Sequence, residues 1–427
     1  MSKGLFQTWC ITVLFCIATL SVQAQTAEIA DRTAKWQQDI QVLVDTLSAR
    51  KDGQKDFVKL YPPATFNAAI ASLKADIATT SDDELSFRLI HLIDSAHVAH
   101  NGAFPQGGDF SARLPLRFNW YPEGLAVNRA SQEYAGALGA LVLKIGDETP
   151  DQLLVRIAPY ISYENDSWLR VRATEFIREE AVLRHFGLIG ADGRVAMTLQ
   201  KPGQPPFTVS VVLADPMPTL LRLTEGLHIP TPLSQSHLSK SYWYQYLDDS
   251  QTLYIQYNEC ENDPKLSFKD FTKQVLGEAD SHSLKRVVID LRFNGGGDSS
   301  VIDPLQDALA ARTKSIGRLY VLIGPWTFSS AMMNAHNLQQ GINSYGRHNN
   351  LKATLVGEPT GDGLNTYGDI KQFELPNSKI AVYYTTKFFG DQKAAPITPE
   401  PEISAPRTLA DDLAGRDAAL EAAIAAP

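Results

Sequence analysis

The chain has 427 residues, of which 44% are hydrophobic and 20% are charged, so its composition is that of a folded globular protein and excludes a disordered one. At roughly 150 residues per domain, this length corresponds to two or three domains. The net charge of -9 and the lack of any clustered run of Lys and Arg argue against binding to nucleic acid, whose phosphates require such a cluster.

Residues 1–24 have the features of an export signal. Lys3 precedes the apolar stretch WCITVLFCIATL, which is too short to span a bilayer, and small residues end at Ala24. The alternative is an uncleaved membrane anchor. We expect an exported protein, periplasmic or secreted, with no stable membrane insertion after signal cleavage. The mature chain then keeps only Cys260, so an internal disulfide is excluded.

Residues 25–110 are predicted to be a helical N-terminal region. The stretches WQQDIQVLVDTL and FNAAIASLKADI each place their apolar residues on one helical face. Ser81 and Glu84 form a capping box that predicts the start of a third helix, which should end near Asp94. The loop beyond that helix reads SAHVAHNG.

Residues 111–235 are predicted to form a small β-rich module, because LPLRFNWY, GLAVN, GALVLKIGD, RVAMTLQ and FTVSVVLAD read as strands. One helical stretch, DSWLRVRATEFIREEAVLRHFG, interrupts them. Residues 236–427 instead alternate strands such as RVVIDLRF, RLYVLIG and KATLVGE with helices. That rhythm indicates an α/β domain with a mainly parallel sheet, whose sites lie at the carboxyl ends of the strands.

Three consecutive glycines follow the strand of this domain in VVIDLRFNGGGDSS. The spacing fits neither a dinucleotide-binding fingerprint nor a P-loop, and Asp298 would repel a phosphate. Two interpretations remain for the loop: a tight turn into a helix, or an oxyanion hole made of backbone N–H groups.

Two further strand ends have polar residues suited to chemistry. In PWTFSSAMMNA, Ser329 and Ser330 lie where a loop turns into a helix, as a helix cap or as a nucleophile beside the positive helix end. In LVGEPTGDG, Glu358 follows another strand, as a local cap, an ion-pair partner or a group of the site.

Taken together and in this order, VVIDLRFNGGG, TFSSAMMNA and LVGEPTGDG resemble the tail-specific, or C-terminal-processing, serine peptidase family. The resemblance is firmest from about residue 240 to the end, and it implies a crotonase-like catalytic domain. It also suggests that the β-rich module is PDZ-like, with LVLKIGDETPDQLL as the supporting stretch.

The resemblance implies a nucleophile at Ser329 and an oxyanion hole made by the N–H groups of Ser330 and Gly296. Members of the family often have proline at the position of Gly295, and proline has no N–H to donate. Bacterial members place a catalytic lysine where this chain has Gly363. The chain therefore resembles the branch related to the tricorn protease core, which lacks that lysine and uses a histidine.

In that branch the histidine comes from an N-terminal loop, and the resemblance places it at His97 in LIDSAHVAHNG. A histidine near neutral pKa can accept the serine proton and return it to the leaving amine. His100 is the alternative on the same loop, whereas His91 lies inside the predicted helix and is expected to pack. Ser95 or Glu358 would orient the imidazole.

The sequence thus predicts an exported serine endopeptidase-like hydrolase that acts on peptide or protein substrates through an acyl-enzyme. No cofactor and no metal site are expected, since one thiol and the isolated HVAH do not make a typical zinc site. The alternative is a non-catalytic binding protein for peptides or apolar ligands on the same fold. Substrate sequence and oligomeric state are not indicated.

Overall fold

A computed structural model describes residues 27–47, 63–105, 112–349, 351–391 and 393–427. The predicted export signal lies outside these residues. The chain divides into two compact units, the first made of residues up to 96, 101–107 and 370–386, and the second of 97–100, 108–369 and 387–427. Within the described ranges, no helix combines the length and apolar character needed to cross a membrane.

The first unit contains three helices, α1 (residues 27–47), α2 (Pro63–Asp76) and α3 (Asp82–Asp94). A three-stranded sheet has the order β1-β14-β13, with bounds Gly102–Pro105 for β1, Thr366–Glu374 for β13 and Ile380–Phe389 for β14. The predicted apolar helix faces are buried: Trp36, Ile40, Leu43, Leu47, Phe66, Ile70, Leu73 and Ile77. Helix α3 begins as predicted, because the Ser81 side chain accepts the Glu84 N–H at 3.3 Å, and it ends at Asp94.

In the second unit, residues 112–235 form an antiparallel sheet of five strands in chain order: β2 (Leu116–Tyr121), β3 (Gly124–Ser131), β4 (Leu141–Ile145), β5 (Arg194–Gln200) and β6 (Phe207–Val212). A short strand, β7 (Leu220–Arg222), also pairs with β3. The helices here are α4 (Pro150–Ile157), α5 (Asp166–Phe176), α6 (Glu180–His185) and α7 (Leu223–Leu227).

The single helix predicted for DSWLRVRATEFIREEAVLRHFG is divided into α5 and α6. Between them, the Arg178 guanidinium donates to the carbonyls of Leu114 and Leu116, and the Arg178 carbonyl accepts the Leu114 N–H at 2.9 Å. The chain therefore bonds to the segment before β2 at this point, and these tertiary contacts override the local helical pattern.

The remainder of the second unit is built on a six-stranded sheet with the order β15-β12-β11-β10-β9-β8. Its strands are β8 (Tyr242–Leu247), β9 (Thr252–Tyr257), β10 (Arg286–Asp290), β11 (Arg318–Ile323), β12 (Ala353–Gly357) and β15 (Ile403–Ser404). All neighbours pair in parallel except β8, which is antiparallel to β9. The helices are α8 (Phe268–Ser281), α9 (Asp303–Ala310), α10 (Ser330–Gln340), α11 (Leu409–Ala414) and α12 (Ala418–Ala425).

Strand β10 is covered on both faces, as is usual for a parallel sheet with crossover helices. Val287 and Ile289 pack into one apolar cluster, and Val288 packs into a second cluster that includes residues of α12. Because β10 and β11 are parallel neighbours, the loops after them meet at one sheet edge. The glycine loop follows β10 there, and Ser329 follows β11.

A buried ionic network fixes the start of the glycine loop. The Arg292 guanidinium donates to Asp290 Oδ2 at 2.6 Å and to Asp417 Oδ1 at 2.7 Å, and the Tyr254 hydroxyl donates to Asp290 at 2.6 Å. Although burial opposes the charge, Arg292 and the other donors to its carboxylate lower the pKa of Asp417 to about 2. Residue 417, directly before α12, is thereby tied to the strand end that precedes the glycines.

Candidate active site

Ser329 is the last residue before helix α10 and has an unusual backbone conformation, with φ 52° and ψ -126°. A residue with a side chain adopts positive φ rarely, and only where the surroundings hold it. Here the Ser329 N–H donates to Asp362 Oδ2 at 3.1 Å. A half-buried serine on a strained turn between strand and helix has the backbone setting of a nucleophile elbow.

The side chain of the neighbouring Ser330 has a structural role. Its hydroxyl donates to the Gly297 carbonyl at 2.6 Å, and its side chain is buried with 8% of the residue exposed. No hydrogen bond to another described residue involves the Ser329 hydroxyl, which leaves it available to react. The Ser330 N–H, at the first turn of α10, is likewise free within the described part of the chain.

Gly296 lies against the Ser329 turn. It has φ 107°, and a Cβ added to it would stand 2.7 Å from the Ser329 Cβ and 3.1 Å from the Ser330 nitrogen. The Gly296 N–H, predicted from the resemblance to bind an oxyanion, instead donates to Asn294 Oδ1 at 2.9 Å. Among the described residues, Gly295 and Gly297 have no hydrogen-bond partner for their N–H groups. Gly296 therefore contributes close approach, and its neighbours are the better-placed donors.

This geometry gives a matched pair of substitutions. We expect Gly296→Ala to lower the free energy of unfolding by about 3 kcal/mol or more, since alanine is strained at positive φ and its Cβ collides with Ser329. Gly295→Ala has open space and should change it by less than about 1 kcal/mol. Urea unfolding of both variants provides the measurement, and equal stabilities would contradict the close packing at position 296.

The structure brings His100, the alternative on the predicted loop, next to the serine turn. Its ring packs on Phe328 at a centroid distance of 4.5 Å, and its Nε2 lies 3.8 Å from Asp362 Oδ2, the atom that accepts the Ser329 N–H. His97 is instead exposed, with φ 50° and its ring edge against Tyr163 at 5.6 Å.

His100 is 6% exposed, and neither of its ring nitrogens has a hydrogen-bond partner in the described ranges. Burial lowers the pKa of His100 from 6.5 to about 4, because it disfavours the charged form. The imidazole is therefore neutral at ordinary pH, with one nitrogen free to accept a proton. A buried imidazole whose nitrogens make no hydrogen bond is typical of a binding or catalytic site.

Two carboxyl groups, neither singled out from the sequence, lie behind this histidine. Asp362 is fully buried and accepts the N–H groups of Ser329 and Gly363. Glu164 accepts a hydrogen bond from the Thr366 hydroxyl and a long one, at 3.4 Å, from the N–H of Ala99, the residue before His100. Burial, and then the negative charge of Glu164, raise the pKa of Asp362, and burial raises the pKa of Glu164. Each of the two carboxyl groups therefore releases its proton at a higher pH than an isolated carboxyl group does.

The other two predicted orienting residues lie elsewhere. Ser95 follows α3 in the first unit, where its hydroxyl donates to the Leu92 carbonyl at 2.9 Å and closes the helix end. Glu358 lines a cavity beside Arg407, and burial raises the pKa of its carboxyl. No contact within the described structure joins Glu358 to His97 or His100.

Asp362 could have been found from the sequence. It lies in LVGEPTGDG, in the loop that follows a parallel strand, and sites lie at the carboxyl ends of such strands. Glu164 could not, because a single glutamate in a loop far along the chain is not distinguishable from a surface residue. Glu164 lies near the histidine loop only because residues 97–100 pack within the second unit, through the apolar cluster of Ala99, Trp168, Val171 and Phe328.

No protein-family model matches the sequence, and no curated protein is significantly similar to it. Among solved structures, mature CPAF complexed with lactacystin matches with a TM-score of 0.61 and 14% identity, covering 89% of this chain and 95% of the other. Mature CPAF gives a TM-score of 0.59 and 13% identity, covering 90% and 95%. The photosystem II D1 C-terminal processing protease gives 0.39 and 13%, covering 89% and 98%. At such identities the likeness establishes the fold, and this protein has the mixed α/β fold of mature CPAF, with the predicted mainly parallel sheet and helical N-terminal region.

Proposed function

We propose that this protein is a serine peptidase in which Ser329 is the nucleophile and His100 the general base. The observation that supports this most directly is the Ser329 turn: a strained, half-buried serine with a free hydroxyl, next to a neutral buried histidine without partners. The CPAF fold and the resemblance of the three strand-end motifs to serine peptidases agree with it.

In the proposed reaction, the His100 imidazole accepts the Ser329 hydroxyl proton as the oxygen attacks the scissile carbonyl carbon. The developing oxyanion accepts hydrogen bonds from the Ser330 N–H and from the free N–H groups of the glycine loop. The imidazolium then protonates the leaving amine, and an ester remains on Ser329. Water, deprotonated by His100, hydrolyses that ester and restores the serine.

Asp362 has a positioning role in this scheme. Both of its carboxyl oxygens accept backbone N–H groups, one from Ser329 and one from Gly363, so it holds the serine in the strained conformation. Burial and the charge of Glu164 raise the pKa of Asp362, which disfavours two negative charges in the buried site. Gly363 at the lysine position and His100 near the serine support the branch of the family that uses histidine. Export is proposed from residues 1–24 alone.

A fluorophosphonate probe tests the proposal, because it phosphonylates activated serine hydroxyls. We expect the folded protein to be labelled at Ser329 and the urea-unfolded protein to remain unlabelled, since only the folded site activates the hydroxyl. Peptide mapping by mass spectrometry locates the adduct. Without labelling of the folded protein, the peptidase proposal fails and the non-catalytic binding protein becomes the better interpretation.

A further inference from the structure

Strand β8 lies at one edge of the six-stranded sheet, and in the described part of the chain only β9 pairs with it. Its six residues, YWYQYL, include no charged residue, proline or glycine. The pairing with β9 runs through all six positions without a bulge. Proteins usually protect a sheet edge with charges, proline or a bulge, because an open edge pairs with other chains. Strand β8 lacks all three of these protections.

The tyrosines of β8 direct their backbone groups away from β9. In an antiparallel ladder, hydrogen-bonded and non-hydrogen-bonded positions alternate. The Ser241 carbonyl accepts the Asn258 N–H at 2.8 Å, so the position just before β8 is a hydrogen-bonded one. The N–H and C=O groups of Tyr242, Tyr244 and Tyr246 therefore point outward. None of these groups has a hydrogen-bond partner among the residues that the structure describes, which leaves this edge open.

Side-chain contacts hold the edge in a fixed conformation. Tyr242 and Trp243 are buried, and the Trp243 indole N–H donates to Gln256 Oε1 at 2.8 Å. Further along the strand, the Tyr246 ring stacks on His282 at a centroid distance of 3.7 Å. A strand that is already ordered loses little conformational entropy when another strand pairs with it.

Opposite charges flank the strand. Lys240 lies two positions before its first residue, and Asp248 and Asp249 follow its last residue. All three side chains are exposed, and none of them forms an ion pair with a residue in the described ranges. When two copies of such a strand pair antiparallel, the basic end of each meets the acidic end of the other. The charge pattern is therefore complementary to its own reverse.

We propose that two copies of this chain associate through β8, which pairs antiparallel with β8 of the second copy about a two-fold axis at Tyr244. The outward N–H and C=O of Tyr244 exchange hydrogen bonds with the same groups of the second copy, and those of Tyr242 bond to those of Tyr246. The same register places Lys240 opposite Asp248. The two sheets become one continuous sheet across the dimer.

The charges select this register over its neighbours. A shift by two residues preserves the backbone hydrogen bonds but places Lys240 opposite Tyr246 or Ser250, without a counter-charge. In the proposed register, Tyr242 and Tyr246 also form aromatic cross-strand pairs on one face of the joined sheet. The contact uses the same surface on both copies, so it closes at a dimer and leaves no edge at β8 for further chains.

Sedimentation velocity of the purified protein between about 1 and 100 μM tests the association. We expect a species of twice the mass of the chain to predominate at the upper end of this range, and a concentration-dependent equilibrium with the monomer below it. A monomer at every concentration would overturn the proposal. A larger assembly would contradict the two-fold closure.

A charge exchange tests the register. Lys240→Glu and Asp248→Lys should each raise the dimer Kd roughly tenfold, because the two-fold axis makes each substitution create two like-charge contacts. The double variant should return to within about threefold of the parent protein. Lys352→Glu serves as the matched control, since this exposed lysine precedes β12, four strands away from β8 in the sheet, and should leave the Kd unchanged.

A proline tests the backbone pairing. Tyr244→Pro removes an outward N–H and leaves the ladder to β9 intact, so it should stay folded and raise the dimer Kd tenfold or more. Tyr244→Ala removes the same ring but keeps the N–H, and should weaken the dimer less. Melting temperatures verify that the variants are folded, and the charge exchange remains decisive if Tyr244→Pro is not.

Two further outcomes would overturn the assignment of the dimer to β8. One is a dimer whose Kd is the same in Lys240→Glu, Asp248→Lys and the parent protein. The other is a double variant that stays as weak as the single ones, since the charges would then not face each other. Ser329 has no part in these measurements, so the association is judged independently of the peptidase proposal.

Discussion

Ser329→Ala is expected to lower peptide hydrolysis by on the order of 10,000-fold or more, because it removes the hydroxyl that the proposed acyl-enzyme requires. Ser330→Ala should retain at least about a tenth of the activity. Its hydroxyl serves the Gly297 carbonyl, and loss of that hydrogen bond weakens the loop by about 1 kcal/mol without removing the nucleophile. Hydrolysis of a quenched fluorescent peptide library by the two variants and the parent protein gives the comparison.

The two serines are adjacent in sequence, so this pair of variants is a matched test of the backbone geometry. Melting temperatures verify that both variants are folded. Should Ser330→Ala be the inactive variant, the strained turn at position 329 would have a structural cause and the nucleophile would move by one residue.

His100→Asn is expected to reduce hydrolysis by about 100- to 10,000-fold, the contribution typical of a general base. The same exchange at His97 should have little effect, since His97 is exposed and asparagine tolerates its positive φ. Fluorophosphonate labelling rates provide a readout that does not depend on substrate choice. A severe loss in His97→Asn alone would restore the base predicted from the sequence resemblance.

A second measurement on His100→Asn follows from the pKa of about 4 for the buried imidazole, against 6.5 ordinarily. Between these values the unfolded chain binds a proton that the native protein does not, so stability is lost as pH falls from 6.5 towards 4. The loss attributable to His100 is on the order of 3 kcal/mol. His100→Asn should therefore lose correspondingly less stability than the parent between neutral pH and pH 4 in urea unfolding. Asp362, whose raised pKa acts in the opposite direction, is present in both proteins.

The helices, strands and main sheet were predictable because their apolar patterns match how they are buried. Helices α1 and α2 bury the predicted faces, and β9 to β12 form the expected parallel sheet. The division between α5 and α6 was not predictable, since it depends on Arg178 bonding to carbonyls some sixty residues away. Local pattern determines these elements only where no distant partner competes.

In the candidate site, the strand-end motifs located Ser329 and the glycine loop, because both follow neighbouring parallel strands. The choice between His97 and His100 depends on burial against Phe328, which the loop sequence SAHVAHNG does not reveal. The predicted oxyanion donor, the Gly296 N–H, differs for a similar reason. It donates to the side chain of Asn294, directly before the glycines. Side-chain capping within a loop depends on rotamers, and no spacing rule encodes them.

The stacked rings of His100, Phe328, Trp168 and Trp326 have a consequence for natural variation. They come from three distant stretches of the chain, yet each ring packs against the next. A Cβ at Gly361 would stand 2.8 Å from the Trp168 ring, so this glycine belongs to the same constraint. In homologous sequences we therefore expect these positions to change as a set or to remain fixed. A lineage that exchanges the tryptophan at position 168 for a smaller residue should show compensating changes at 328 and around 361.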